Sequence, residues 1–412
     1  MATVKPFKGY RPAENFEKIA CPPYDVISSA EARVMAAGNP VSFLHVDKPE
    51  IDLPEDTYLY DDKVYAKGKE NLESFIDRDI LKQDAKSCFY LYAQTMNGRT
   101  QYGLAAVVST EEYDKGIIKK HELTRKDKED DRTRHVNMLG ATTGPVFLTY
   151  PDDKELDLKA AEIIAEHPVT SFETEDGIRH TFWVIDNAED IKTIEEIFAK
   201  MPALYIADGH HRSAAASNVA AQRRSQLADF TGRESWNYFL AVIFPASQLL
   251  VMDYNRLVKD LKGFSPAEFL EELKKSFTVE KSGNAKPPKR HTFGMYLDKH
   301  WYTLTAKPGT FDENDPVDSL DVSILQKNLL QPVLDIGDPR TDKRIDFVGG
   351  IRGLDELKKR VDSGKYEVAF SMYPTSIEEL MKVADAGRIM PPKSTWFEPK
   401  LRSGMVLYKY DD

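Results

Sequence analysis

The stretch from Ala203 to Arg224 constrains the fold more than any other part of the sequence. The apolar run 203–207 predicts a short buried strand, which breaks at Asp208-Gly209. An alanine-rich segment then predicts a helix from His210 to Arg224. A strand that turns directly into a helix leaves the first amides of that helix without partners, and the positive end of the helix dipole lies beside them. This corner is therefore expected to bind an anion.

The side chains at this corner suit phosphate. Gly209 carries no side chain, so the backbone can approach a ligand closely. Arg212 is a planar cation that matches phosphate oxygens. His210 and His211 can donate hydrogen bonds or carry protons near neutral pH, which makes His211 a candidate catalytic group. In the alternative interpretation, Asp208 is only an N-cap and the histidines belong to a solvated first turn.

Length and charge limit the class of protein. The 412 residues suffice for two or three cores at roughly 150 residues per domain. The net charge of -11 argues against a general nucleic-acid binder, which needs a basic face. No apolar run approaches the roughly 20 residues that span a bilayer, and the amino-terminal segment has no apolar signal core, so a cytoplasmic protein is expected. The 2 cysteines provide neither a disulfide framework nor a paired-cysteine metal site.

Helical and strand patterns both occur along the chain and predict an α+β protein. Asn97-Gly98 between two strand-like runs is a strong hairpin signal. Val41–Val46 is interpreted as a strand and Tyr58–Leu81 as an amphipathic helix. The pattern of predicted elements changes after Tyr254. This change suggests a catalytic core over 1–254, a smaller α+β unit over 255–345 and a C-terminal segment, 346–412, that returns to the core. The sequence does not predict an oligomeric state.

A second charged cluster covers residues 119–135, with seven Lys/Arg against five acids. A helix over its second half places Asp131, Arg134 and His135 on one face. Glu122 precedes that helix on a loop. A carboxylate near basic groups and bound phosphate suits a general base or a magnesium ligand. The alternative is a solvated helix with intrahelical ion pairs.

Histidines near both charged stretches raise the question of zinc. His121, Asp208, His210 and His211 supply nitrogen and oxygen ligands. However, no pair of histidines three or four residues apart accompanies them, and adjacent histidines in a first helical turn point in divergent directions. The sequence therefore favours magnesium at a phosphate site over a zinc hydrolase.

Five short motifs are specific in combination: Pro6–Pro12, Cys21–Ser28, His121–Thr124 with Asp131-Arg132, Asp208–Arg212, and Lys393–Lys400. Together they resemble the bacterial family known as domain of unknown function 1015, over almost the whole chain. The Asp-Gly-His-His-Arg stretch is also similar to that of free serine kinases, where it begins a helix and holds the donor phosphates. The resemblance implies a ParB/sulfiredoxin-like catalytic core of mixed sheet and helices, with additional smaller α+β units.

The same resemblance implies roles for individual residues. Members of the family have been connected with serine phosphorylation, including the use of pyrophosphate as donor. Glu122 is the best match to the catalytic carboxylate of the free serine kinases, and Asp25, on the proline-stiffened loop, is its rival. Carried over from the motif, the residues that bind phosphate and its magnesium, with Asp208 as the metal ligand, are Asp208, Gly209, His210, His211 and Arg212. Further cations that can neutralise phosphoryl oxygens are Arg125, Lys126, Arg132 and Lys393.

The expected activity is a small-molecule kinase that uses Mg²⁺. It transfers a phosphoryl group from pyrophosphate, or from ADP or ATP, to the hydroxyl of free L-serine and gives O-phosphoserine. The same groups serve the alternatives of a phosphoserine phosphatase or the reverse reaction. Another alternative is a non-catalytic ParB-like module that binds a nucleotide. A Walker loop is absent, which excludes a P-loop kinase by pattern.

Overall fold

The computed structural model describes residues 1–411 and forms two compact units. The first unit contains Met1–Leu249 together with the residues from Pro399 onward, and the second contains Leu250–Glu398. The division of the sequence into 1–254, 255–345 and 346–412 stays a prediction beside this observed division. Within residues 1–411, no helix is both long and apolar enough to cross a lipid bilayer.

Helices and strands alternate irregularly in both units. The helices of the first unit are α1 (Phe16–Ile19), α2 (Ser29–Ala36), α3 (Leu44–Asp47), α4 (Asp62–Asp77), α5 (Thr110–Asp114), α6 (Lys126–Leu139), α7 (Lys154–Ile164), α8 (Ala188–Phe198) and α9 (His210–Arg224), and those of the second are α10 (Pro266–Leu273), α11 (Asp321–Leu325), α12 (Asp355–Asp362) and α13 (Ile377–Asp385). The strands, in chain order, are β1 (Val4–Lys5), β2 (Tyr10–Pro12), β3 (Leu81–Gln83), β4 (Phe89–Met96), β5 (Arg99–Ser109), β6 (Ile118–Lys119), β7 (Ala141–Thr142), β8 (Val146–Tyr150), β9 (Thr170–Glu173), β10 (Arg179–Ile185), β11 (Leu204–Asp208), β12 (Tyr238–Pro245), β13 (Leu250–Met252), β14 (Tyr254–Val258), β15 (Phe277–Ser282), β16 (Thr292–Leu297), β17 (His300–Ala306), β18 (Ile345–Gly349), β19 (Val368–Ser371), β20 (Trp396–Glu398) and β21 (Tyr408–Lys409).

A mixed sheet organises the first unit. Its strand order is β6-β11-β8-β12-β5-β4-β10-β9, and β1 also pairs with β5. The pairs β11 with β6 and β12 with β8 are parallel, whereas the other neighbours are antiparallel. Apolar residues of α7 and α8, including Leu156, Ile194 and Phe198, join those of the sheet in one buried core. The mixed sheet and its helices confirm the predicted α+β class.

The corner between β11 and α9 is formed as predicted. Leu204 and Ile206 are fully buried, since β11 lies between β6 and β8 in the sheet. The pairing register of β11 with β8 shifts between Ile206 and Asp208, where the strand ends. Gly209 follows with φ 98°, a left-handed conformation that favours glycine, and α9 begins at His210. Small alanines allow α9 to pack closely, and several of them are completely buried.

Two sequence predictions near the site have opposite outcomes. The hairpin is confirmed: β4 and β5 flank Asn97 and Gly98, which both have positive φ. The strand predicted over Val41–Val46 is wrong, because this segment enters the short helix α3. The hydroxyl of Ser42 accepts a hydrogen bond from the amide of Leu44 at 3.4 Å and supports that helix. As a consequence, the carboxylate of Asp47 lies at the end of a helix and not along a sheet.

The second unit has its own sheet, with strand order β15-β17-β16-β19-β14-β18. The sheet is antiparallel throughout. Leu257, Val348 and Ala369 from the sheet and Leu357 from α12 form a buried apolar cluster. Helix α11 continues into a π-helical turn over Gln326–Leu330. This unit is an α+β structure in itself.

Candidate active site

The first turn of α9 has no side-chain cap in the described part of the chain. Its N-cap is Gly209, and no side chain hydrogen-bonds to the first amides. In the same unit Asp153 caps α7 and Asn187 caps α8, whereas α6, like α9, has no side-chain cap. One oxygen of Asp208 accepts a hydrogen bond from the amide of Gly209 at 2.8 Å, so it does not serve the helix amides. Uncapped amides at a positive helix end favour an anionic ligand.

Arg212 folds back over the corner. A Cβ on Gly209 would lie 3.2 Å from the Cζ of Arg212, so the glycine makes room for the guanidinium as well as for the backbone turn. The Nη1 of Arg212 donates to the carbonyl of Pro145. Its Nη2 lies 3.9 Å from an oxygen of Asp25 and 4.0 Å from one of Asp208. The guanidinium is thus fixed between two carboxylates beside the helix amides.

The two adjacent histidines hold the loop that carries Glu122. The amide of His121 donates to Nε2 of His210 at 3.5 Å, and the amide of Arg125 donates to Nε2 of His211 at 3.0 Å. Because each Nε2 accepts, each neutral ring carries its proton on Nδ1. Glu122 lies between the two held positions, and one of its oxygens is 3.9 Å from Nδ1 of His210. The sequence alone does not indicate this bracing of the loop.

His121 and His210 form a buried pair of imidazoles. Their ring centroids are 4.5 Å apart and the rings are perpendicular. His121 is 2% exposed, and neither of its ring nitrogens makes a hydrogen bond of standard geometry within residues 1–411. His121, Glu122 and His210 each offer one ligand atom, and these atoms lie within 4.8 Å of one another. In the tautomer described above both ring nitrogens of His210 are occupied, so a cation bound at this cluster would displace the Nδ1 proton of His210 or the amide of His121.

Burial controls the protonation of this pair. It lowers the pKa of His121 to about 4, and burial together with the neighbouring His121 holds the pKa of His210 well below its usual range. Both rings are therefore neutral at pH 7. In the unfolded chain a histidine takes up a proton near pH 6.5. The unfolded state thus binds more protons than the folded state between pH 6.5 and 4, so stability is lost as the pH falls through that window.

We expect His121→Asn to make stability less dependent on pH. The linkage of His121 alone removes about 2 kcal/mol of the free energy of unfolding between pH 7.5 and pH 5.0. Chemical denaturation of the wild type and the variant at both pH values measures this difference. An equal loss in the two proteins would contradict a neutral, buried His121.

Lys400 is a site residue that the sequence analysis did not select. Its Nζ lies 3.1 Å from an oxygen of Asp208, and both residues belong to the first unit. Burial raises the pKa of Asp208, but the charges of Lys400 and Arg212 outweigh that effect and hold the pKa well below its usual range. The only available signal was that Lys400 lies in the same motif as Lys393. Lys400 and the amide of Gly209 both contact the carboxylate of Asp208. A metal ion bound to Asp208 would therefore share this carboxylate with Lys400.

The other predicted cations have different surroundings. Arg125 is exposed and pairs with Asp127 at 2.9 Å. Arg132 is nearly buried, pairs with Asp131 at 2.9 Å, and its guanidinium lies 4.1 Å from the ring centre of Tyr24. Their roles in phosphate binding stay predictions.

Lys393 lies in the second unit, where its Nζ is 5.5 Å from the ring centre of Tyr254. Its backbone has φ 59°, and its carbonyl accepts a hydrogen bond from Arg256 at 3.0 Å. These contacts are all made within that unit. Phosphate binding by Lys393 likewise stays a prediction.

Comparison with known proteins gives a family and distant structural likenesses. A family profile described as "Protein of unknown function (DUF1015)" matches residues 4–323. No curated protein matches the sequence. Similar solved structures include a free serine kinase in complex with AMP, with 13% identity and a TM-score of 0.34 over 71% of this chain and 86% of that one. A conserved hypothetical protein from Pyrococcus furiosus has 15% identity and a TM-score of 0.34 over 71% and 90% of the two chains. SbnI from Staphylococcus aureus, truncated at its C-terminus, has 10% identity and a TM-score of 0.36 over 73% and 85%.

Proposed function

The chain belongs to the DUF1015 family, and we propose that it is a small-molecule kinase that transfers a phosphoryl group from pyrophosphate to the hydroxyl of free L-serine. The observation that carries the proposal is the uncapped first turn of α9, with Arg212 folded over it and Lys400 beside Asp208. Helix amides and two cations form a compact site for a small polyanion. ADP and ATP are the other donors to be considered.

The proposed reaction is an in-line displacement at phosphorus. The serine oxygen forms a bond to one phosphorus of pyrophosphate, the bond from that phosphorus to the bridging oxygen breaks, and inorganic phosphate leaves. The hydroxyl proton passes to a carboxylate, for which we propose Glu122 with Asp25 as the rival. Such reactions depend mainly on positioning and charge neutralisation, which fits a site without a covalent nucleophile.

Glu122 is favoured as the base because hydrogen bonds hold the loop that carries it. Backbone hydrogen bonds to His210 and His211 hold the loop on both sides of it, so its side chain starts from a fixed position at the helix end. Asp25 is partly exposed, and its nearest charged neighbour is the guanidinium of Arg212 at 3.9 Å. That contact suits a carboxylate that orients Arg212.

A divalent cation, proposed as Mg²⁺, would be held here by Asp208 together with the donor phosphates, while Glu122 acts as the base. When bound, it would neutralise charge on the phosphate oxygens. The residues fit a divalent cation, because the low pKa of Asp208, held down by the charges of Lys400 and Arg212, keeps its carboxylate ionised, and His121, Glu122 and His210 offer ligand atoms within 4.8 Å of one another. The imidazoles in that cluster also suit Mn²⁺ or Zn²⁺, so these ions belong in any test of metal preference.

A donor screen tests the proposed function. Pyrophosphate, ADP and ATP are each incubated with L-serine, Mg²⁺ and the full chain, and O-phosphoserine is quantified by mass spectrometry. We expect phosphoserine with pyrophosphate and release of one phosphate per phosphoserine. In parallel, phosphoserine is incubated with water alone and with added phosphate. If phosphoserine releases phosphate in water and no donor gives phosphoserine, the protein is a phosphatase and not a kinase.

Lys400→Met is expected to raise the KM for pyrophosphate about 10- to 100-fold, because a hydrogen bond from a charged group to a bound anion contributes about 1.5–3 kcal/mol. The matched variant is Lys393→Met in the second unit, which tests the residue that the sequence analysis selected. Initial rates at varied pyrophosphate concentration measure both. A larger increase in KM from Lys393→Met than from Lys400→Met would assign pyrophosphate binding to Lys393 instead of Lys400.

A further inference from the structure

Two glutamines are buried inside the sheet of the first unit. Gln94 on β4 and Gln101 on β5 are direct cross-strand partners, and they are 0% and 2% exposed. Phe89, Leu91 and Ala93 of β4 belong to the core that also contains the apolar residues of α7 and α8. Because successive side chains of a strand point to opposite faces, the two glutamines lie on the other face of the sheet. A buried primary amide is unfavourable unless hydrogen bonds satisfy it, so the partners of these two amides show what the pair does.

The glutamines form a relay that ends at the backbone of Lys400. The Nε2 of Gln101 donates to Oε1 of Gln94 at 3.1 Å, and the Nε2 of Gln94 donates to the carbonyl of Lys400 at 2.9 Å. A backbone carbonyl can only accept, so it selects the orientation of the Gln94 amide, which in turn selects that of Gln101. All three residues belong to the first unit. The backbone of Lys400 is therefore fixed from inside the sheet.

The carbonyl held by this relay belongs to the residue that pairs with Asp208. The Nζ of Lys400 lies 3.1 Å from an oxygen of Asp208, and the lysine side chain is 18% exposed. A lysine side chain is flexible and loses much rotamer freedom when it is held in one place. The returning segment is also held farther along, where the backbone of Ser403 pairs with that of Cys21. The hydrogen bond from Gln94 acts at Lys400 itself, so its loss should be felt at Nζ.

We propose that Gln94 is a positioning residue, which holds the Nζ of Lys400 at Asp208 and through it raises the affinity of the corner between β11 and α9 for pyrophosphate. The effect on affinity rests on the proposed function, whereas the hold on Lys400 does not. Methionine has nearly the volume of glutamine but cannot donate a hydrogen bond, which makes Gln94→Met the informative substitution.

Amine acetylation tests the hold on Lys400 without any phosphate ligand. The full chain is treated briefly with acetic anhydride, and acetylation of Lys400 is quantified by mass spectrometry. We expect Gln94→Met to raise the rate at Lys400 about 2- to 10-fold, the equilibrium effect of losing one hydrogen bond. Thr149→Val is the matched control, because the hydroxyl of Thr149 donates to the carbonyl of Phe244 at 2.9 Å in the same sheet. This control should leave the rate at Lys400 unchanged.

Calorimetric titration with methylenediphosphonate, an unreactive analogue of pyrophosphate, tests the effect on the corner in the presence of Mg²⁺. We expect the Kd of Gln94→Met to be about 2- to 10-fold above that of the wild type, with kcat for phosphoserine formation little changed. In the Lys400→Met background the same substitution should not weaken binding further, because both changes act through one contact. A purely structural role of Gln94 predicts equal factors in the two backgrounds.

The outcomes separate this inference from the proposed function. Unchanged acetylation of Lys400 in Gln94→Met, or an equal increase in Thr149→Val, overturns the positioning role even if pyrophosphate is a substrate. An unchanged Kd when the wild type binds the analogue, or equal factors in the two backgrounds, also overturns it. Faster acetylation in Gln94→Met alone, in a protein that neither binds the analogue nor forms phosphoserine, keeps the hold on Lys400 and refutes the proposed function. If Gln94→Met does not fold, Gln101→Met is judged by the same criteria, since it removes the group that orients Gln94.

Discussion

Glu122→Gln is expected to lower kcat for phosphoserine formation about 10²- to 10⁴-fold, the usual contribution of a general base. The amide keeps the size of the side chain and cannot accept the serine proton. The KM for pyrophosphate should change little, because the helix amides, Arg212 and Lys400 all remain. Steady-state rates with varied pyrophosphate and L-serine measure the two effects separately.

Asp25→Asn is the matched variant, since both substitutions replace an exposed or half-exposed carboxylate by its amide. We expect it to lower kcat less than Glu122→Gln, as Asp25 contacts Arg212 and not the loop held by the two histidines. Neither variant should change the free energy of unfolding by more than about 0.5 kcal/mol. The reverse order of the two effects on kcat would assign the base to Asp25.

Arg212→Lys should have the second large effect, a decrease of about 10²- to 10³-fold in kcat/KM for pyrophosphate. A lysine keeps the charge but loses the planar group that reaches Pro145, Asp25 and Asp208 together. The planar group that lies over Gly209 is also lost, so the amides of the first turn no longer have a guanidinium beside them. Initial rates of phosphate release measure the change in kcat/KM. Calorimetric titration measures the change in pyrophosphate binding.

Arg223→Lys serves as the control on the same helix. Arg223 lies in the last turn of α9, where it donates to the side chain of Asn137 at 3.1 Å. The substitution makes the same chemical change far along the helix from the first turn. Comparable losses in the two variants would show that Arg212 acts through the stability of α9 and not through the donor.

The strand-to-helix corner was predictable because its signals are local. An apolar run, a glycine and an alanine-rich segment specify β11 and α9, and the helix bounds agree with His210–Arg224. The hairpin at Asn97-Gly98 was predictable for the same reason. Val41–Val46 failed because its apolar residues are buried in either conformation, as Phe43, Leu44 and Val46 show. Tertiary packing favours the helix in this segment, and the local sequence pattern does not reveal that preference.

The composition of the site depends on contacts that are distant in sequence. Lys400 reaches Asp208 from 192 residues away, so no spacing rule connects them. The Nε2 atoms of His210 and His211 accept amide protons from the loop that contains Glu122, a contact that the sequence did not indicate, and phosphate binding by these histidines stays a prediction. Local sequence predicts which residues are polar at a corner. Which partner each of them meets depends on how the strands are ordered in the sheet.

Asp208 and Lys400 lie far apart in the chain, so the site that they form is assembled in a fixed order during synthesis. The ribosome makes β11 and α9 early, then the whole of the second unit from Leu250 to Glu398, and only afterwards Lys400. A nascent chain therefore exposes the corner between β11 and α9 without Lys400 until translation has passed the second unit. The contact between Lys400 and Asp208 is thus completed last, after both sheets have been made.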